Sequence, residues 1–501
     1  LRPPFVFYEG PPSANGMPGI HHVMARAIKD IFCRYKTQKG YQVHRKAGWD
    51  THGLPIELGV EKELGITKEE IGKSISVEDY NAACKKAVMR YTDVWNELTE
   101  RIGYWVDMED PYVTYTSKYM ESVWWLLKQI HEKGLLYKGY TIQPYSPMAG
   151  TGLSSHELNQ PGTYQNVTDT TVTAQFKTLP ESLPAQLQGT VPLYILAWTT
   201  TPWTLPSNTA LTVGKKIDYV VVQTFNQYTF EPIRVLLAKD LLQKQFGKVY
   251  IESEDLDSYK EGDKKIHYRI ETEIKGSDLL AIRYEQLWSE APLPLENAED
   301  AFRVIAGDFV TTEEGTGIVH TAPTFGADDA KVAKEASPEV PPLLVLDENG
   351  TQVPLVDLKG RFRKEVGRLG NCFVKNEYYP EGTAPDRSTD VEIAIQLKGE
   401  NKAFKVEKYV HSYPNCWRTD KPILYYPLDS WFIKVTEARD QMTALNKEIN
   451  WKPKSTGEGR FGNWLANAND WNLSRSRFWG IPLPVWRTEE GTETTVFGSI
   501  S

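Results

Sequence analysis

Two adjacent histidines, His21 and His22, open a helix-forming run directly after the segment Gly10-Pro11-Pro12-Ser13-Ala14-Asn15-Gly16-Met17-Pro18-Gly19-Ile20. A helix start offers unpaired backbone N–H groups and the positive end of its dipole, so phosphate is the ligand such a place favours. Asn15 and Gly16 shape the loop before it. Further along, Trp198-Thr199-Thr200-Thr201-Pro202-Trp203-Thr204-Leu205-Pro206-Ser207-Asn208 sets a density of hydroxyls beside aromatics, which suits a small polar pocket with apolar walls. A third stretch, His320-Thr321-Ala322-Pro323-Thr324-Phe325-Gly326-Ala327-Asp328-Asp329, follows a Gly-Thr-Gly turn and ends in paired carboxylates.

The elements that must position these groups are legible in part. Phe5, Val6 and Phe7 predict a strand over Pro4 to Tyr8, ended by Gly10, Pro11 and Pro12. Ile20, Val23, Met24, Ala27, Ile28, Ile31 and Tyr35 recur at helical spacing, with Gly40 after Lys36 and Lys39 as the stop, so one apolar face is expected to pack on a sheet. A short strand around Val43 to Ala47 leads into Gly48-Trp49-Asp50-Thr51-His52-Gly53-Leu54-Pro55-Ile56-Glu57, and a helix is expected over Ser117 to Lys133. From about Gly162 the texture turns to β, with Thr170 to Phe176, Val191 to Trp198, Tyr219 to Thr224 and Ile318 to Thr321 as strands. This predicts an α/β domain interrupted by a mainly β insertion that ends between Asp390 and Tyr409. Trp431 to Val435 and Phe478 to Pro484 then read as the first sheet resuming. Trp95, Trp105, Trp124 and Trp125 are expected in the core, and the charged run Glu252 to Lys265 as a solvated loop.

Composition sets outer limits. With 501 residues the chain exceeds one ordinary domain. Its net charge of −9, from 57 basic and 66 acidic residues, gives no global basic surface and is neutral about nucleic acid, which needs only local positive patches. Cys33, Cys84, Cys372 and Cys416 form no close pair, so a reducing compartment, the cytoplasm, is expected without disulfides. No apolar run approaches the ~20 residues of a membrane span. Position 1 is Leu, and an N-terminal piece and a C-terminal continuation are both expected.

The pair PPSANGMPGIHH and GWDTHGLPIE resembles the opening of the catalytic domain of class I aminoacyl-tRNA synthetases, and Thr51-His52-Gly53-Leu54-Pro55 favours the isoleucyl branch over the valyl and leucyl ones. The resemblance implies a Rossmann-like parallel-sheet catalytic domain split by an inserted editing domain, with divisions at 1–163, 164–400 and 401–501. It implies ATP with Mg2+, isoleucine and tRNA(Ile) as cofactors and partners, no membrane, and a monomer. Ser13, Asn15, Gly16, Gly19, His21 and His22 would then bind ATP, with Gly19, His21 and His22 as the catalytic signature. Gly10, Pro11, Asp50 and Trp479 would bind the amino acid, Asp50 through its ammonium group and Trp479 as a wall. The TTTPWTLPSN run and the His320 to Asp329 stretch resemble the editing pocket. There Thr199, Thr200, Thr201, Trp203, Thr204 and His320 would position the ester and size the cavity, and Asp329 would bind the ammonium group of the misattached amino acid. With no Ser-His-Asp or Cys-His arrangement beside them, direct attack by an oriented water is expected.

Two departures stand out against that family. Gly19-Ile20-His21-His22 replaces the usual His-Ile-Gly-His, exchanging the glycine and the first histidine, so an adenine pocket remodelled around Gly19 and His21 is expected, with activity retained. Three of the four cysteines that hold structural zinc in some members are missing, since Tyr145 to Gly150 has none and Cys416 stands alone before Trp417, Arg418 and Thr419. No zinc is expected there. A stand-alone deacylase of mischarged tRNA, or a non-catalytic tRNA-binding fragment, remain the alternatives.

Overall fold

The computed structural model describes residues 2–8, 10–488 and 491–501. The chain divides into two compact units, one of residues 1–139 with 430–501 and one of residues 140–429. The first forms α1 Ile20–Gln38, β1 Lys46–Trp49, α2 Leu54–Leu64, α3 Val77–Val88, α4 Thr92–Arg101, β2 Asp107–Val113 and α5 Ser117–Glu132. β1 and β2 pair in parallel, with Gly48 opposite Tyr112 and Trp49 opposite Val113. Ile56, Val60, Tyr80, Cys84 and Val88 close a core between α2 and α3.

Several expectations change in this unit. Pro4 to Tyr8 is no strand: it makes one parallel bridge, Pro4 to Gln42, with Phe5 N–H donating to Gln42 O at 2.9 Å. Pro3 and Pro4 lack the N–H groups a ladder needs, and Val6 and Tyr8 stand in solvent. The apolar face of α1 does not pack on a sheet either. Ile20, Met24, Ile28, Ile31, Phe32 and Tyr35 are all more than half exposed, and the buried residues of the helix are Arg26 and Cys33. The opposite face is the one engaged, because the Arg26 guanidinium lies 4.9 Å over the Trp95 ring and donates to Thr99 Oγ1 at 2.7 Å, both on α4. Of the four tryptophans placed in the core, Trp95 is there, while Trp105 and Trp125 are over half exposed. Trp105 is covered by the guanidinium groups of Arg34 and Arg45 at 5.1 and 4.2 Å. Phe478 to Pro484 forms no strand.

The second unit is built on a seven-stranded sheet in the order Tyr250–Glu252, Ile266–Lys275, Asp218–Phe225, Pro232–Ala238, Leu193–Thr199, Tyr164–Lys177, Ala403–Pro414. A smaller sheet of Arg303–Ala306, Ala210–Val213 and Ile318–Thr321 sets His320 opposite Leu211. The expected boundaries at 163 and 400 move outward to 139 and 429. Ala403–Pro414 is the reason at the far side, since it pairs antiparallel along nearly all of Tyr164–Lys177 and so belongs to the insertion. Among the described residues no helix is long and apolar enough to cross a membrane.

Candidate functional site

In the first unit the loop before α1 is pinned by its alternate carbonyls. Pro12 O accepts the Asp50 N–H at 2.9 Å, Ala14 O the Tyr91 N–H at 3.0 Å, and Gly16 O the Trp95 indole N–H at 2.9 Å. Ala14 is buried against Trp49 and Trp95, while Ser13 Oγ donates to Asn15 Oδ1 at 3.0 Å on the exposed side. Gly19 caps α1, and its N–H donates to His22 Nδ1 at 2.9 Å. The proton of neutral His22 therefore sits on Nε2, which leaves a donor at the positive end of the helix. Burial, with His21 and Arg26 adding to it, lowers the His22 pKa, so the neutral form prevails. The His21 ring lies 3.8 Å from that of His22, and a Cβ on Gly19 would come within 2.8 Å of His21 Cε1. In this rotamer the exposed His21 ring occupies the space that a side chain at position 19 would enter.

Asp50 stays accessible at the end of β1, with partial burial pushing its carboxyl up and the His52 N–H holding it down. Trp479 reaches the same motif: its indole N–H donates to Thr51 O at 2.6 Å, and its ring lies 5.3 Å from His52. His52 is pushed down to about 4 by burial, and its Nε2 has no protein partner among the described residues. A cavity of about 260 Å³ opens nearby, lined by Pro11, Pro12, Arg26, Trp49, Thr99 and Tyr112 among others. Of the residues expected to bind ATP or amino acid, only Pro11 lines it; Gly10 is exposed at the loop's edge.

Glu57 was not singled out by sequence. It is 2 % exposed and accepts the N–H groups of Phe478 and Trp479 at 3.1 Å each and Arg477 Nε at 3.1 Å, while Arg477 also pairs with Glu61. A buried carboxylate collecting three donors from a segment some 420 residues away fixes where Trp479 sits. The signal was present, because Glu57 closes the second motif on a helix that otherwise turns apolar residues inward.

In the second unit the threonine-rich run leaves its strand as a 3-10 turn over Pro202–Ser207. Thr199 Oγ1 accepts the Thr201 N–H at 3.0 Å and lies 3.3 Å from Thr201 Oγ1; Thr204 Oγ1 donates to Thr201 O at 2.8 Å. Thr200 is half-buried in this run. The Trp203 ring packs on Phe325 at 5.1 Å, tying the two motifs together. His320 has both nitrogens engaged. Asn208 Nδ2 also donates to Ala210 O at 2.8 Å, and Asn208 Oδ1 accepts from Tyr284 at 2.7 Å, which fixes the amide. Nδ2 therefore donates to His320 Nδ1 at 2.9 Å, leaving His320 Nε2–H to donate to Thr204 Oγ1 at 3.0 Å. Full burial pushes this histidine down to about 3, so it is neutral and holds the turn without carrying protons.

Asp329 lies in the first turn of helix Ala327–Glu335 and accepts the Ala322 N–H on Oδ2 at 2.8 Å. Burial pushes its carboxyl up to about 7, with Asp328 adding to the shift; Asp328 itself is exposed. A Cβ on Gly326 would come within 2.7 Å of Asp329 Cγ, so the glycine lets the carboxylate fold back. A largely buried carboxylate held up by desolvation is a receptor for a cation. In the same two motifs and the residues next to them, the hydroxyls of Ser207, Thr209 and Thr324 and the Trp203 indole N–H are buried without a protein partner among the described residues, which leaves hydrogen-bonding capacity unspent. No group of three or more His, Cys, Asp or Glu side chains among the described residues is placed to hold a metal ion.

Residues 2–501 match the family described as tRNA synthetases class I (I, L, M and V). An isoleucine–tRNA ligase of Bacteroides fragilis is 61% identical over 515 residues, covering 99% of this chain and 44% of its own length. One from Cytophaga hutchinsonii is 60% identical, over 100% of this chain and 45% of its own. A crystal structure of the ternary complex of Agrobacterium radiobacter K84 agnB2 LeuRS-tRNA-LeuAMS aligns over 99% of this chain and 48% of its own, at 14% identity and a TM-score of 0.33. The chain thus spans less than half the length of the curated relatives it matches.

Proposed function

This chain belongs to the class I tRNA synthetases of the I, L, M and V group, and on that premise we propose that it activates isoleucine with ATP, transfers it to tRNA(Ile), and hydrolyses valyl-tRNA formed in error. What supports this is that one chain carries two distinct groupings of polar residues: a helix start where Gly19 N–H holds His22 Nδ1, and a threonine-rich turn held by His320, with the Asp329 carboxylate on the neighbouring Ala322 N–H.

In the first, the N–H groups of the first turn of α1 and His22 Nε2–H bind the ATP phosphates and stabilise charge developing on the α-phosphate. Ser13, Asn15 and Gly16 shape the nucleotide loop, and Gly19 with His21 forms a remodelled adenine pocket. Asp50 takes the ammonium group of isoleucine, Gly10 and Pro11 line its pocket, and Trp479 walls the side chain. With no protein nucleophile beside it, catalysis rests on orientation and electrostatics. Mg2+, when bound with ATP, would neutralise phosphate charge during the displacement.

In the second, Asp329 holds the ammonium group of the misplaced valine, and the hydroxyls of Thr199, Thr200, Thr201 and Thr204 orient the ester and the attacking water. His320 keeps that turn in place. A hydrophobic pocket separates isoleucine from valine by only roughly 150-fold in this enzyme family, a general figure and not one read from this structure, which is why a second site is needed. In this reading the protein is a cytoplasmic monomer, and no structural zinc is expected at Tyr145 to Gly150 and Cys416 to Thr419, which hold one cysteine between them.

The test is amino-acid-dependent ATP–pyrophosphate exchange by the complete reading frame that contains these residues. Strong preference for isoleucine over valine and leucine is expected. No exchange with any of the three, with valyl-tRNA still hydrolysed, would leave a deacylase.

A further inference from the structure

The threonine-rich turn is gripped from two sides, and His320 with Asn208 is only one of them. Pro202 and Pro206 supply no N–H, Thr204 N–H returns to Thr201 O at 3.0 Å, and Asn208 N–H to Leu205 O at 3.1 Å. The Trp203 N–H reaches outside the turn to Asp390 Oδ1 at 2.9 Å. Asp390 lies in the first turn of helix Thr389–Gly399 and is 4 % exposed. Its other oxygen lies 3.6 Å from Nζ of Lys375, itself 7 % exposed. Lys375 Nζ also donates to Asp169 Oδ2 at 3.1 Å and lies 4.8 Å over the Tyr413 ring, and His411 Nε2 meets the same Asp169 oxygen at 3.1 Å.

Withdrawing an ammonium and a carboxylate from water is costly, and a backbone N–H can be satisfied by a neutral carbonyl at far less cost. A buried ion pair spent on one backbone N–H makes sense where the position of that backbone matters, as in fixing register elsewhere. We propose that Asp390, with Lys375 as its counter-charge, is a positioning residue of the hydrolytic pocket. It holds the Trp203 backbone so that Thr201 and Thr204 present their hydroxyls at a set spacing and the Trp203 ring stays on Phe325. The proposal rests on the hydrolytic function given above for that pocket. The helix dipole and the Lys375 ammonium both favour the Asp390 carboxylate, against burial, which pushes it up to about 6. The ionised acceptor binds the Trp203 N–H more strongly than a neutral one would.

The test uses the complete reading frame with preformed valyl-tRNA, and isoleucine-dependent pyrophosphate exchange as the second readout. Asp390→Ala removes the acceptor and is expected to lower kcat for deacylation at least tenfold, with KM and exchange within twofold of the parent. Asp390→Asn, whose amide oxygen still accepts the Trp203 N–H, recovers to within about threefold of the parent. Removal of one charge alone can unfold a buried pair, so Lys375→Met/Asp390→Asn, which removes both of these charges and leaves Asp169 to His411, is included and is expected to behave like Asp390→Asn. Deacylation by Asp390→Ala at the parental rate overturns the proposal. So does an equal loss of deacylation and exchange, or an Asn variant no better than the Ala one. A parent protein that leaves valyl-tRNA intact overturns the hydrolytic function itself, and that result is seen before any substitution is made.

Discussion

The two units treat their polar groups in opposite ways. In residues 140–429 the groups assigned to chemistry are interlocked: His320 spends both nitrogens on the turn it holds, the half-buried Asp329 folds back to the Ala322 N–H, and Asp390 is locked to Lys375. In residues 1–139 with 430–501 they stand open. His21 and Asp50 are exposed, His22 is half-buried with its Nδ1 on the Gly19 N–H, and the apolar stripe of α1 from Ile20 to Tyr35 faces solvent. A pocket for a small ester can be prebuilt from one domain's own core. The site proposed for ATP and an amino acid needs reach and room, and the firm parts of this unit are the backbone pins of the loop and the Glu57 anchor.

That contrast can be broken or sharpened by substitution. The largest effect is expected from Glu57→Ala, which removes the acceptor of three donors and one half of a buried ion pair. A loss of about 3–5 kcal/mol of stability in the first unit, followed by tryptophan fluorescence during denaturation, should go with collapse of isoleucine-dependent exchange, while deacylation survives. Next comes pH. Asp329 must be ionised to hold an ammonium group, and its carboxyl is pushed up to about 7 in the free protein. kcat/KM for valyl-tRNA hydrolysis, measured over the uncatalysed background, should therefore fall roughly tenfold per pH unit below about 7, and exchange should lack that limb. The same shift has a stability sign. The folded-state pKa lies above the unfolded value, so folding is favoured below the unfolded pKa and that advantage is lost as pH rises through about 7. Asp329→Asn should accordingly raise stability by roughly 1–3 kcal/mol at pH 8, read from denaturant midpoints, while it lowers valyl-tRNA hydrolysis. The smallest effect is expected from His21→Gly: a few-fold change in ATP affinity and in sensitivity to inhibitors that overlap the adenine pocket. An unchanged response in both would contradict a pocket remodelled around Gly19 and His21.

Much of the second unit was legible because strand alternation and threonine-rich turns are local signals. Ile318 to Thr321 is a strand over those same residues, and the helix from Ser117 ends one residue short of the expected Lys133. What failed depended on distant partners. The periodicity of α1 marked an apolar face correctly but could not say that Arg26, on the other face, would find Trp95 and Thr99 and so decide which face is buried. Pro4 to Tyr8 has strand composition and lacks the donors to use it. The far boundary of the insertion hid in Ala403–Pro414, a strand whose partner lies more than two hundred residues earlier. Glu57, Lys375 and Asp390 escaped for the same reason, since a carboxylate's burial is set by who donates to it.

The most direct test of two independent sites in one chain is a paired measurement on Asp329→Ala: hydrolysis of preformed valyl-tRNA and isoleucine-dependent pyrophosphate exchange. Hydrolysis should fall about 30- to 150-fold, the loss of one charge-assisted contact worth roughly 2–3 kcal/mol, with exchange unchanged. Intact hydrolysis would contradict the placing of the ammonium group on Asp329, and an equal fall in both activities would contradict the separation of the two sites.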